Sequence, residues 1–569
     1  MFDAIVVGSG ISGGWAAKEL CERGLKVLML ERGPDIPHGP ESPQGQGYSH
    51  DYALQTRRRD DQIPEEERDL HYPYHVGVSY ALFNSNKAFW ASDHDHPYET
   101  VPGKPYRWIR GYQLGGRSLT WGRQSYRWAP QDFLSNLQDG HGVDWPIRYE
   151  DLEPWYDHVE AFAGISGDYD GLEQLPDGDF LPPFPFNDVE LAAKASIEAD
   201  WPTRRMIMGR TANLSRVAKP QMDLGRKKCE QHVRCHHGCP LGSYFSTQAA
   251  TLPAALNTGN LTVLTDRVVE SVIHDPATGR VTGVRTISRL DKTGEIFEAR
   301  IVFLNASAIN TAALLLNSRS EAFPRGLANG SDQVGRNLMD HVSTKPIVGK
   351  MPGFGNVYDQ RDRPTGIYVP RYGNVTETDK PYLRGFGMQG GAVRSRSTEG
   401  AVQGVPADDE DLGLRGWHFS LLPFGEVLPD PDNRVTLSAV RKDSWGIPVP
   451  IIEAAHGPNE YAMMLAAARD AAEMLRAAGC VDITPWEEAG EQLTPPGDRI
   501  HEMGTARMGR DPATSVLNGW NQTHEVANLF VTDGSVMTSS ASMNPSLTYM
   551  AVTARAAHHA ADLLQQGGL

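Results

Sequence analysis

AIVVGSGISGGWAAKELCERGLKVLMLERG, residues Ala4 to Gly33, runs through strand, tight turn, helix and second strand without a break. The apolar β run Ala4–Val7 meets Gly8-Ser9-Gly10-Ile11-Ser12-Gly13, and a helical run follows with Ala16, Ala17 and Leu20 on one face. A second β run, Leu25–Leu30, ends at Glu31. This is the order and length of a dinucleotide-binding βαβ unit. Each glycine has a physical task. Gly8 allows the turn, Gly10 lets backbone approach a pyrophosphate, and Gly13 lets helix and strand pack closely. The helix start offers free N–H groups and the positive end of its dipole to phosphate. Glu31 stands where a carboxylate can accept hydrogen bonds from both ribose hydroxyls. The competing reading is a glycine-rich turn in an ordinary α/β unit. The motif by itself does not choose between FAD and NAD.

A chain of 569 residues can bury a large core and suggests two to four domains. Its formal charge of −17 argues against nucleic acid or an anionic membrane as main partner. No apolar run reaches transmembrane length, so no direct membrane insertion is expected. Met1 leads almost directly into the first strand, leaving no room for a signal peptide on this chain. Five cysteines are too few for a disulfide framework, yet Cys229, Cys235 and Cys239 crowd into one short segment. Cys21 and Cys480 read as core.

Outward from the first unit, Pro34 to about Pro105 leaves the βαβ pattern, and the charged run Arg57–Arg68 reads as a solvated face. Gly115-Gly116 then allows backbone to approach something flat, with Ser118 and Thr120 able to hydrogen-bond it; a tight loop is the alternative. Helical patches such as Leu152–Phe162 follow. Asn260–Ile273 reads as two short strands, Asp275–Gly279 as a turn, Val281–Ile287 as the returning strand and Ala299–Asn305 as another. Ile309–Asn317 reads as a helix, so α/β texture returns and the nucleotide domain is discontinuous. Ser343 to about Pro450 is β-rich, with Asn433–Ser438 and Ile447–Ile452 joined near Lys442-Asp443. Glu460–Ala478 is a helix with Asn459 as N-cap, Gly479 as its stop, and a stripe of Tyr461, Met464, Leu465, Ala468, Ala472 and Leu475. The end holds a strand, Leu529–Thr532, then Asp533-Gly534 and a last helix after Pro545.

The first unit, Gly115-Gly116-Arg-Ser, Val334-Gly-Arg-Asn-Leu-Met-Asp-His341, His501-Glu-Met-Gly-Thr-Ala-Arg-Met-Gly509, Asp533-Gly534-Ser535 and Asn544-Pro545-Ser-Leu-Thr548 occur in that order. The ordered set spans the chain and resembles the glucose–methanol–choline (GMC) family of flavin oxidoreductases. The resemblance implies FAD and an α/β fold of two domains. One is a discontinuous Rossmann-type FAD-binding domain, placed at residues 1–45, 100–130, 205–342 and 486–569. The other is a substrate domain with a β-sheet flanked by helices, placed at 46–99, 131–204 and 343–485. It also implies that Asp533 lies near the ribityl–phosphate region and that the Gly115-Gly116 loop lies against the isoalloxazine. Chemistry agrees. Oxidising an alcohol needs a hydride sink, which flavin supplies, and a base for the hydroxyl proton, for which histidine is suited. The resemblance makes His501 and Asn544 the catalytic pair, the pairing of the pyranose-oxidase and cholesterol-oxidase branches. Asn544 can hydrogen-bond the alcohol oxygen without taking its proton. The helix starting near Pro545 would aim its positive end at the flavin pyrimidine. Pyranose 2-oxidases attach FAD through a histidine of the Gly-Gly loop; the matching position here is Thr120, so FAD is expected to be non-covalent.

Cys229 to Pro240 reads C-x5-C-x3-C-P. Three thiolates in one loop suggest metal: an iron–sulfur cluster, or zinc with His232, His236 or His237 as fourth ligand. Buried free thiols are the third reading. The segment resembles the cysteine loop of catalytic subunits of bacterial membrane-linked sugar dehydrogenases of the same family, which hold a 3Fe-4S cluster. Those often carry an extra cysteine where Lys228 stands here, but three ligands suffice for three irons. The expectation is an FAD-dependent sugar or glycoside dehydrogenase, closest to bacterial glucoside 3-dehydrogenases, oxidising a ring hydroxyl at C3. The resemblance implies a small subunit with a twin-arginine signal, a c-type cytochrome and a periplasmic location; a cytoplasmic location is the alternative. Competing readings are an oxidase of the pyranose-oxidase type using O2, and a lyase that keeps FAD without its redox chemistry. Trp417 could stack on a sugar ring or lie in the core.

Overall fold

In the computed structural model, which describes residues 1–37, 62–78, 80–231, 235–354, 363–396 and 414–569, β1 (Phe2–Val7) enters the middle of a seven-stranded sheet. The glycine turn delivers the chain into α1 (Ile11–Glu22), which returns it to β2 (Val27–Leu30), parallel to β1 with Ala4 opposite Val27. All four residues Ala4–Val7 are buried, as are all four of β2. Such continuous apolar runs mark strands covered on both faces. β3 (Leu261–Leu264) pairs parallel to β2. β4 (Arg267–Asp275) and β5 (Arg280–Ser288) form the expected hairpin.

β6 (Gly294–Leu304) is longer than the expected strand Ala299–Asn305 because it serves two neighbours. Its first half pairs antiparallel with β5, and its second half runs parallel to β1, Phe2 opposite Ala299. Its burial changes at the same place, from exposed and intermediate residues to the buried run Ile301–Leu304. Helix α3 (Ala308–Asn317) follows.

The second sheet is antiparallel and runs Ile207–Met208, β8 (Ile367–Val369), β9 (Phe386–Arg396), β10 (Leu414–Gly425) and β7 (Ile347–Met351). Ile207–Met208 lies in a segment that the sequence assigns to the FAD domain, yet it is an edge of this other sheet. β11 (Arg434–Lys442) and β12 (Pro448–Glu453) make a hairpin, and both approach α3 of the nucleotide domain. β13 (Leu529–Val531) returns to the first sheet beside β6, Leu529 opposite Val302. The last helix, α5 (Ser546–Gln565), packs on α1 and on α2 (Tyr149–Ala163).

Helix α4 (Pro458–Ala477) covers β10 and corrects two expectations. Its N-cap is Gly457, not Asn459: the Glu460 carboxylate accepts the Gly457 N–H at 2.7 Å, while Asn459 accepts the N–H of Leu383. The capping role passes to an acid three residues inside the helix, which leaves Asn459 free to tie down a neighbouring loop. The buried face is Met463, Met464, Ala467, Ala468, Ala471, Ala472, Met474 and Leu475, whereas Tyr461 and Leu465 are exposed. Met464, Ala468, Ala472 and Leu475 of the expected stripe lie in this face; Tyr461 and Leu465 fall on its edge, where alanine and methionine take the buried positions instead. Gly479 follows the helix with φ +89°, a natural stop.

Three helices are pinned by one buried acid. Glu19 of α1 accepts from His158 Nε2 of α2 at 2.7 Å, from His558 Nε2 of α5 at 2.8 Å and from Lys18 at 2.9 Å. Burial alone would raise its pKa, but the two imidazoles and the ammonium hold it well below the carboxylate range. An acid with a depressed folded pKa stabilises the fold above its unfolded pKa of about 4.3, and this contribution fades as the pH falls below that value. Glu19→Ala is therefore expected to lower the thermal midpoint at neutral pH, on the scale of the roughly 3–5 kcal/mol that breaking a buried charge pair costs. The deficit should shrink in acid. A thermal melt series across pH checks both signs.

Candidate active site

A continuous cavity of about 2110 Å³ runs between the two main sheets. A drug-sized ligand fills roughly 300–1,000 Å³, so there is room for a dinucleotide and a second molecule. Gly8, Gly10, Glu31, Gly116, Ser118, Asp533, His501, Asn544 and Pro545 all line it.

The glycine turn fits a pyrophosphate. A Cβ on Gly8 would meet Asn305 O at 2.4 Å, and one on Gly13 would meet Gly8 O at 1.9 Å, so these two hold strand and helix together. A Cβ on Gly10 would meet nothing within 4 Å; it would stand in the cavity where a phosphate must approach. The Glu31 carboxylate accepts Ser9 Oγ–H at 2.6 Å and Gly33 N–H at 2.9 Å, which leaves lone pairs for a ribose. Ser9 takes the Gly115 N–H at 2.9 Å and so ties the first turn to the Gly-Gly loop. Gly115 has φ +85° and faces Gln248; only Gly116 of the pair reaches the cavity wall. The Ser118 hydroxyl donates to Gly115 O at 2.6 Å and accepts the Thr247 N–H at 3.0 Å, so it shapes the loop from within. Asp533, 3% exposed, is held by Ser535 and Thr311, with burial pushing its pKa up. The start of α5, Pro545 and Ser546, opens on the cavity.

On the cavity wall His501 and Asn544, 43 residues apart, meet: Asn544 Nδ2 lies 3.1 Å from His501 Nε2. Gln389 of β9 donates to Asn544 Oδ1, which turns the amide nitrogen toward the ring. A hydroxyl oxygen about 2.8 Å from both groups would complete a near-equilateral triangle with them, its proton toward the His501 lone pair and its oxygen accepting from Asn544. Asp340 fixes the backbone behind the ring, accepting the N–H groups of His341 at 2.7 Å, His501 at 2.9 Å and Arg499 at 3.1 Å. Burial, then Glu502, pushes Asp340 up to about 7, while those N–H bonds pull the other way. Arg117 of the Gly-Gly loop makes a two-pronged ion pair with Glu502, at 2.6 and 3.1 Å, which clamps that loop to the segment carrying His501. Burial, then His341 and the charges of Arg499 and Arg117, hold His501 well below the ordinary imidazole value, so its ring is neutral at neutral pH.

The cysteine segment borders this site. Cα atoms of the turn Cys235–His237 come within 8 Å of those of Gly116–Leu119, and His236 is on the cavity wall. Burial pushes the Cys229 thiol up to about 12, and the Cys239 thiol upward too; Cys229 senses both other sulfurs and Cys239 senses Cys235. Arg226, 3% exposed, lies close enough to Cys239 to feel its charge, and its Nη2 has no partner among the described residues. Such a buried cationic donor beside Cys239 fits an anionic thiolate there. Groups of three ligating atoms within 4.8 Å occur, among the described residues, at Glu19–His158–His558 and His71–His94–Asp95; the cysteines are spread wider than that. A tetrahedral zinc with sulfur at about 2.3 Å would draw them closer. His232 lies outside the described residues.

Sequence reading missed Gln389, which has no local signal, and the work of Asp340, His341 and the Arg117–Glu502 pair. The Asp340-His341 dipeptide stands inside a quoted motif, but its contact with His501 spans 160 residues. Trp417 is core, 2% exposed. Cys21 and Cys480 are buried as expected. Part of the charged run, up to residue 61, lies outside the described residues; Glu65–His71 is a helix with no buried residue.

Comparison with known proteins gives two matching family models, both described as GMC oxidoreductase, over residues 2–343 and 429–553. The chain is 28% identical to 2-methyl-1,2-propanediol dehydrogenase of Mycolicibacterium austroafricanum, over 97% of this chain and 94% of that one. It is 27% identical to the fructose dehydrogenase large subunit of Gluconobacter japonicus, over 99% and 98%. Among solved structures, pyridoxine 4-oxidase from Mesorbium loti superposes with TM-score 0.60 at 18% identity, covering 98% of each chain.

Proposed function

The chain belongs to the GMC oxidoreductase family, an FAD-dependent oxidoreductase acting on CH–OH groups, and from that premise we propose that it is a sugar or glycoside dehydrogenase. In this reading it oxidises a secondary ring hydroxyl, the one at C3, to a ketone. The observation that carries the reading is the His501–Asn544 pair, 3.1 Å apart on the wall of a cavity too large for the dinucleotide alone. Bound FAD supplies the sink for the hydride. Gly10, Glu31 and the start of α1 would hold its diphosphate and ribose. His501 Nε2 takes the hydroxyl proton, Asn544 orients the oxygen, and the neighbouring Arg117–Glu502 clamp keeps the base in register with the flavin loop. Polar groups along the cavity wall, among them Gln389, Lys345 and Asp498, suit a ligand with several hydroxyls.

The electrons leave, in this reading, through a 3Fe-4S cluster on Cys229, Cys235 and Cys239. Supporting it are the proximity of the cysteine turn to Gly116–Leu119, the buried Arg226 beside Cys239 with its Nη2 unpartnered among the described residues, and a similar protein whose printed name is a large subunit. A flavin collects two electrons at once and a cytochrome accepts one, so a one-electron relay between them has a clear use. The partners would be a small subunit with a twin-arginine signal and a c-type cytochrome, in the periplasm. No helix of the described residues is long and apolar enough to cross a membrane.

The test uses protein purified anaerobically with its flavin. A panel of glycosides is expected to bleach the oxidised-flavin band, with a 3-keto product by NMR. Metal and sulfide analysis is expected to give about three irons per chain, with an EPR signal lost in Cys235→Ser. Iron-free protein that produces peroxide rapidly in air would make it an oxidase, and a flavin that no alcohol reduces would point to a lyase.

A further inference from the structure

We infer that His341, which is not on the cavity wall, is a positioning residue that sets the tautomer of His501 and thereby makes its Nε2 the base. This rests on the reading of His501 as the base that takes the hydroxyl proton. The protons in this corner admit one assignment. His341 Nε2 lies 3.0 Å from Ala541 O and 3.2 Å from Ser540 O. Carbonyl oxygens only accept, so His341 carries its proton on Nε2. Its Nδ1 is then a bare lone pair, 2.7 Å from His501 Nδ1. A contact that short between two ring nitrogens needs one proton between them, and only His501 can supply it. His501 is therefore protonated on Nδ1 and unprotonated on Nε2. The other end of the chain gives the same answer independently. Gln389 donates to Asn544 Oδ1, so Asn544 Nδ2 faces His501 Nε2 as a donor, and Nε2 must accept.

The arrangement has a consequence for turnover. When the substrate O–H bond breaks and the proton forms a new bond at His501 Nε2, the ring becomes a cation inside the protein. Its Nδ1–H already points at the His341 lone pair, so the charge is shared along a chain that ends on two backbone carbonyls. Without His341 the Nδ1–H would have no acceptor, and the ring would be free to place its proton on Nε2, where it blocks the base. The charged groups around the pair are Asp340 and Glu502 beside it, Arg499 on its own segment, Arg117 from the Gly-Gly loop and Glu426 from the β10 end. Phe424 closes the remaining side with its ring 6.5 Å from His341 and 6.2 Å from His501. Burial drives His341 down to about 4, which keeps it a neutral acceptor at neutral pH.

The test combines two variants with one spectroscopic reading of the unaltered holoprotein. His341→Ala removes the acceptor. His341→Asn places an amide oxygen near the lost Nδ1 and restores it. Stopped-flow reduction of bound flavin is expected to fall by about a hundredfold or more in the alanine variant, the scale of misplaced acid–base catalysis, and to recover to within about tenfold in the asparagine variant. Substrate affinity should change little in either. Ring-¹⁵N histidine labelling, with His501 assigned by its loss in His501→Asn, should show the Nδ1–H tautomer in the unaltered protein, with or without any substrate. An alanine variant as fast as wild type, or alanine and asparagine variants equally slow, overturns the inference. So does an Nε2–H tautomer at His501, a result that does not depend on any His341 variant folding. A flavin that no sugar reduces would instead count against the sugar reading and leave the tautomer measurement standing.

Discussion

Replacing His501 with alanine is expected to leave the fold and bound flavin in place while slowing flavin reduction by two or more orders of magnitude, about the contribution of a positioned general base. The residue is a small part of the nucleotide site, and its backbone N–H stays on Asp340 whatever the side chain. What is lost is the lone pair 3.1 Å from Asn544. The pH profile is part of the expectation. A histidine cannot accept a proton once it is protonated, and burial with the adjacent cationic arginines holds His501 well below the ordinary imidazole value of about 6.5. The wild-type rate should therefore be level around neutrality and fall only in acid well below pH 6.5. His501→Ala should be slow throughout and lack that acid limb. A variant that reduces its flavin at the wild-type rate across pH would sink the assignment. Asn544→Ala should cost as much or less, because it orients the alcohol without receiving its proton.

The second large effect belongs to the first turn. Gly10→Ala and Gly13→Ala look alike in sequence and are expected to fail differently. A Cβ at Gly13 would lie 1.9 Å from Gly8 O, a backbone atom that cannot move without parting α1 from β1. Gly13→Ala should give protein with a lowered thermal midpoint and little or no flavin. A Cβ at Gly10 meets no atom of the chain within 4 Å, so Gly10→Ala should fold with a midpoint close to that of flavin-free wild type. It should still hold flavin poorly, because its methyl projects into the cavity where the pyrophosphate approaches. Flavin stoichiometry and thermal melts, measured together, separate the two. The wild-type control carries a further expectation: acid denaturation should release FAD into the supernatant, since Thr120 cannot form the covalent bond of a histidine. Yellow colour retained by the precipitate would contradict it.

The fold was legible where function and local physics coincide. Ala4–Glu31 announces itself because a buried parallel strand must be apolar throughout, a pyrophosphate turn must be glycine, and the two must be adjacent in the chain. The β4–β5 hairpin was equally plain, since its turn Asp275–Gly279 and alternating strands are local signals. Legibility failed where the deciding partner is distant. The edge of the buried face of α4 was misplaced at Tyr461 and Leu465, because alanine and methionine suit either side and only β10 above them selects one. Ile207–Met208 carries nothing to say that it will complete a sheet with β8, some 160 residues later.

The candidate site divides in the same way. The sequence by itself determined a dinucleotide turn and the crowding of three thiols, because each is written in a short local motif; the choice of FAD and the pairing of His501 with Asn544 came from the ordered set of motifs that resembles the GMC family. The tertiary structure alone decided which nitrogen of His501 is free. That depends on two backbone carbonyls at Ser540 and Ala541, on His341 between them and the base, and on Gln389 from the other domain's sheet. A proton's position is fixed by donors and acceptors within about 3 Å, and folding chooses those neighbours across the whole chain, not along a few residues of it.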